Sequence, residues 1–117
     1  MKTAAPSILP FPCASNPASR RWLMKNMQVA RRRSEPSVIV DLSSCHTLNQ
    51  VDIDLLLECM AEVAGRDTRV LFVAGSHPNR LLLEVTRIAS LAPVFLSLEE
   101  ALAHPQTSTE KRVTEQP

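Results

Sequence analysis

The chain has 117 residues, 44% hydrophobic and 21% charged, with a net charge of +1. That is one domain with enough apolar residues to bury a core, and no apolar run approaches the roughly 18–20 residues of a membrane span. Its three cysteines, Cys13, Cys45 and Cys59, are an odd number at unrelated spacings, which fits free thiols in a reducing compartment. The start, MKTAAPSILPFPCAS, is broken by Pro6, Pro10 and Pro12 and makes a poor signal peptide, so a cytoplasmic location is expected. The small net charge conceals an asymmetry: residues 1–37 carry a net +6 and residues 38–117 a net −5. A basic arm on an acidic body could meet nucleic acid or an acidic partner; its ordinary role is a solvated helix surface. With Trp22 and three phenylalanines as the whole aromatic set, there is no platform for bases, and no nucleic-acid partner is expected.

Residues 1–15 are rich in proline and small residues and read as an extended arm. Ser7-Ile8-Leu9 could form an edge strand, held to two or three residues by the flanking prolines. Asn16-Pro17 is a helix start, and Leu23, Met27 and Ala30 recur at helical spacing. Arg31-Arg32-Arg33 suits the negative helix end and Pro36 stops it, which predicts a helix from Pro17 to Arg33.

Val38-Ile39-Val40 ends at Asp41 and reads as a strand buried on both faces of a parallel sheet. A polar segment, Leu42 to Gln50, follows. Asn49 caps the next helix with Asp52 three residues on, Ile53, Leu56, Leu57, Met60 and Val63 form its expected core stripe, and Gly65 stops it. Arg69 to Ala74 is a second buried strand, closed by the loop Gly75-Ser76-His77. Pro78 opens a third helix whose Leu81, Leu82, Val85, Ile88 and Ala89 are expected to face inward. Pro93-Val94-Phe95 is a short strand, and Ser97 with Glu100 caps a last helix over Leu98 to Ala103. Residues 104–117 read as a disordered tail. Right-handed crossovers then give an α/β domain over residues 16–103: a small sheet of mostly parallel strands with helices packed on it.

In open α/β sheets, ligands and partners gather outside the carboxyl ends of strands, which directs attention to Asp41–Asp52. Asp41 is placed like a catalytic or phospho-accepting carboxylate, although such a residue ordinarily bonds the loop amides beyond its strand. Ser43, Ser44 and Thr47 could accept a phosphate, but serines at strand ends more often cap and turn. Cys45, His46, Cys59 and His77 match no zinc spacing, and Cys59 falls among core residues of a helix, so no metal is expected. Cys45 and His46, adjacent in an extended segment, point apart and make a poor nucleophile and base. Asp52 and Asp54 stabilise the positive end of their helix. With Gly65 and Gly75 the only glycines, there is no phosphate-cradling loop. A binding module is favoured over an enzyme, and no cofactor is expected.

Val38 to Leu102 resembles the STAS domain, the module of bacterial anti-sigma factor antagonists and of the cytoplasmic tails of sulfate transporters. Four pieces carry the likeness: VIVDLSS, TLNQVDIDLLL, RVLFVAGSHPNRLLLEVTRI and APVFLSLEEALA, in the family's order and spacing. The resemblance implies a non-catalytic protein that docks to an anti-sigma factor or serine-kinase-type partner. Its docking surface would be Ser43, Ser44, His46, Thr47, Asn49, Gln50, Val51 and Asp52, with His77 and Asn79 from the next loop. An alternative is an accessory subunit of an ABC-type lipid transporter. Two departures stand out. The family's phosphorylated serine is replaced by Gln50, which cannot accept a phosphate, so the usual switch is missing. The β-hairpin that opens such domains is also missing: either the start of the chain is placed too late, or the sheet has an open edge that invites self-association.

Overall fold

The structure, a computed structural model, describes residues 6–12 and 17–104. Four strands, β1 (Ser7–Pro10), β2 (Ser37–Asp41), β3 (Arg69–Val73) and β4 (Val94–Phe95), form one parallel sheet in sequence order. Four helices, α1 (Pro17–Arg32), α2 (Gln50–Val63), α3 (His77–Val85) and α4 (Leu98–Ala103), follow their strands in turn, with a 3₁₀ turn at Ile88–Ser90 before β4. The α/β class expected from the sequence is the one observed. The predicted tail, apart from His104, lies outside the described residues, as does most of the predicted arm.

Side chains alternate between the two faces of a strand, and each face of this sheet has its own apolar cover. Val38, Val40, Val70 and Phe72 pack with Leu23, Met27 and Ala30 of α1, Leu56 and Cys59 of α2, and Leu83 of α3. Ile39, Leu71 and Val73 pack on the other face against Ala101, with Phe95 and Leu98 at its margin. That two-sided cover is why β2 and β3 read as unbroken apolar runs.

α1 and α2 are stitched along their length by Arg20–Glu58 and Arg31–Glu62, the latter at 3.0 Å. Part of the charge asymmetry between the two halves of the chain is thus satisfied inside the domain.

Among the described residues, β1 is a single strand parallel to β2, a residue longer than predicted. It lies at an edge, but that edge is poorly suited to pairing. The Phe11 N–H donates to the Asp41 carbonyl at 2.8 Å. Because N–H direction alternates along a strand, residues 6, 8 and 10 serve the outer side. Pro6 and Pro10 have no N–H, which leaves Ile8 as the one outward donor among the described residues, a usual way of blunting a sheet edge. β1 therefore offers a pairing strand one outward N–H beside the carbonyls on that side, and β4 is the sheet's other edge.

Two helix faces differ from expectation. In α3, Leu81 (59% exposed) and Val85 (65%) point outward, while Asn79 and Leu83 are buried. The predicted stripe assumed one helix through Ala89. Instead the helix ends at Val85, where the Thr86 hydroxyl bonds the Leu82 and Leu83 carbonyls and Arg87 turns to a φ of 70°. Ile88 therefore reaches the core in a new phase. In α2 the buried set is Asp52, Ile53, Leu55, Leu56, Cys59 and Val63, so Leu57 lies at the surface. The stripe is rotated because α2 packs on α1 as well as on the sheet.

Candidate functional site

The carboxyl ends of β2 and β3 carry two loops that lock into each other. The first begins as a turn in which the Cys45 N–H donates to the Leu42 carbonyl at 2.9 Å. Asp41 holds it from below: its Oδ1 accepts the Ser43 N–H at 2.9 Å and the Ser43 hydroxyl. This is the loop-bonding role ordinary for a strand-end carboxylate. Leu42, Cys45 and Leu48 are buried at every third position, while Ser43, Ser44, His46 and Thr47 are exposed. Burying a leucine stabilises by about 1.5–3 kcal/mol, so the loop is anchored from within.

The second loop is fitted against the first at Gly75, whose φ is 80°. A β-carbon at Gly75 would sit 2.5 Å from the Ser43 Cα. No other residue type allows this approach. Ser76 caps α3 by accepting the Asn79 N–H, and the Asn79 side-chain amide then reaches both loops. Its Nδ2 donates to the Cys45 carbonyl at 2.9 Å and to the Ala74 carbonyl at 3.2 Å. One buried amide thus ties the β2 loop to the β3 loop.

The first loop ends in the cap of α2. The Asn49 side chain accepts the Asp52 N–H at 2.9 Å, and Asp52 Oδ2 accepts the Asn49 N–H at 3.0 Å. Asp52 is 1% exposed, and its Oδ1 has no hydrogen-bond partner among the described residues. Gln50, on the first turn, donates its side-chain amide to Asp54 Oδ1 at 2.9 Å.

These placements divide the expected docking residues. Ser43, Ser44, His46, Thr47, Asn49, Gln50, Val51 and His77 are exposed. Asp52 and Asn79 were expected on the docking surface, and the structure corrects both. Each is buried because it satisfies backbone groups of the loops, so neither can meet a partner. Sequence reasoning missed the loop anchors Leu42, Cys45 and Leu48; their spacing by three was the available signal.

Cys45 is disulfide-bonded and Cys59 is a free, buried thiol, which corrects the expectation that all the cysteines are free. Cys13 lies outside the described residues. Burial, helped by Glu58 and Glu62 and opposed by Arg20, pushes the Cys59 thiol up to about 12. The thiolate is the reactive form, so Cys59 is expected to resist a pulse of iodoacetamide in the native state up to pH 9 and to react quickly in urea. Cys45 should label only after reduction. Rapid native labelling of Cys59, read by mass spectrometry, would contradict its placement. An unfolded thiol ionises above about 9 and the buried one does not, so this group's contribution to stability is present below that value and is lost as pH rises toward 12.

Among the described residues, no three His, Cys, Asp or Glu side chains cluster as a metal site would require, and no helix is long and apolar enough to cross a membrane. The carboxyl end presents a hydrogen-bonded rim of polar groups with one apolar residue, Val51 (45% exposed), in its midst. The chain matches no protein-family model, no curated protein and no solved structure.

Proposed function

We propose that the protein is a non-catalytic binding module that regulates a partner protein by docking, with the rim from Ser43 to Val51 and His77 as its contact surface. The observation that carries this reading is the division of labour at the rim. Buried Asn79, Asp52 and the Gly75 contact hold the two loops, leaving His46, Thr47, Asn49, Gln50 and Val51 facing solvent. A rim ordered before contact loses little entropy on binding, and an exposed Val51 supplies an apolar anchor among polar groups.

The partner we favour is an anti-sigma factor or serine-kinase-type protein, as the STAS likeness implies. That likeness rests on the sequence motifs and on a compatible small parallel α/β sheet. Gln50 stands where a phosphorylatable serine would be, so this module would bind without that switch. The disulfide at Cys45 weighs against a permanently reducing setting.

Gln50→Asp tests the surface. It puts a negative charge where phosphorylation would, and charge at an interface disrupts by desolvation and repulsion. The side chain is exposed, so the fold should survive; affinity for a captured and purified partner should fall roughly tenfold or more. Unchanged affinity in a titration would remove this surface from the interaction. Capture of transporter subunits in place of a kinase-like protein would move the assignment to an ABC-transporter accessory role.

A further inference from the structure

At the opposite end of the sheet from the rim lies an open, mostly apolar groove of about 470 Å³. Leu57, Met60 and Ala64 of α2 and its C-terminal end form one wall, and Leu91 and Pro93, leading into β4, form the other. Both Leu57 (40% exposed) and Leu91 (66%) present apolar surface at its mouth. Binding sites for small molecules run from roughly 300 to 1,000 Å³ and are mostly apolar with a few polar groups that set orientation; this groove has that size and composition.

Its polar side chains are two, Thr68 and Arg69. The Thr68 hydroxyl already donates to the Ala30 carbonyl at 3.4 Å. Arg69 is exposed and has no carboxylate paired with it among the described residues. The lining side chains therefore offer a ligand donors from a guanidinium and no charged acceptor. A planar guanidinium is suited to the two oxygens of a carboxylate. The end of α2 nearby opposes an anion through its dipole; its Val63 carbonyl accepts the Arg66 N–H, and Arg69 is the one charged side chain among the lining residues.

We infer that this groove binds an amphipathic monocarboxylate, its hydrocarbon chain between α2 and the Leu91–Pro93 segment and its carboxylate on Arg69. The inference is independent of the rim and of any partner docked there. A free fatty acid and an acyl chain ending in a carboxylate share this chemistry.

The test is calorimetric titration of the full chain with dodecanoate below its micelle concentration, beside dodecanol and dodecylamine. Dodecanoate should bind saturably at one site per chain, and both the neutral and the cationic analogue more weakly. Arg69→Gln should weaken dodecanoate roughly tenfold, the scale of a lost charge-assisted pair, and leave dodecanol unchanged. Leu57→Glu, at an exposed helical position, should expel dodecanoate without unfolding the domain, which circular dichroism would verify. Absence of saturable binding, or binding indifferent to both variants, would overturn the site. Equal affinity for dodecanol would overturn the role of Arg69.

Discussion

Gly75→Ala is expected to destabilise the domain by about 2–5 kcal/mol, a large part of the roughly 5–15 kcal/mol available to a protein of ordinary stability. Two costs add. An alanine at a φ of 80° is strained by about 1–2 kcal/mol. Its β-carbon would also meet the Ser43 Cα at 2.5 Å, backbone that cannot rotate away, and forced shifts of this kind cost about 1–3 kcal/mol. The melting temperature should fall by roughly 10–20 °C. Gly65→Ala separates the two costs. Gly65 has a φ of 74°, and the β-carbon of an alanine there would have nothing within 4 Å, so only the strain remains. A similar loss in both variants would show that the two loops are not in contact.

Asn79→Ala is expected to cost about 2–4 kcal/mol, because the Cys45 and Ala74 carbonyls both lose their buried donor. Asn79→Asp should be worse, since a carboxylate cannot donate and would face two carbonyl oxygens. The variant should also loosen the rim selectively: amide exchange at residues 43–48 should accelerate more than in β3. Denaturant titration and hydrogen exchange together check this, and a uniform acceleration across the sheet would deny Asn79 its bridging role.

Much of the architecture is legible in the residues. The apolar runs at Val38–Val40 and Val70–Val73, Pro17 and Pro78 at helix starts, and the Asn49 and Ser97 caps each have a local physical cause that tertiary packing does not override. α3 departs from expectation for a reason that is also local. Arg87 takes a left-handed φ without being glycine or asparagine, and the phase of the apolar pattern changes there unannounced. Its one sequence signal is Thr86, a residue whose hydroxyl competes for helix carbonyls.

The rim is legible in place but not in construction. Strand-end position points to Asp41–Asp52, and Ser43, Ser44, His46, Thr47, Asn49 and Gln50 are the exposed polar residues that such a position suggests. Asp52 and Asn79 look like surface groups because short polar side chains usually are. Only the three-dimensional arrangement shows that they serve backbone groups from within. Asn79 and Leu83 lie four apart on the buried side of α3, a pairing that becomes readable once the helix is known to end at Val85.

The proposed docking role is tested most directly by site-specific photo-crosslinking in the cells that make the protein. A photoreactive side chain would replace Thr47 at the rim, Lys25 on the outer face of α1, or Leu91 at the mouth of the distant groove, each exposed. The expected result is a discrete protein adduct from position 47 and none from positions 25 and 91. No adduct at 47, or the same adduct from a position remote from the rim, would contradict the assignment of the β2 and β3 loops as the surface through which this protein acts.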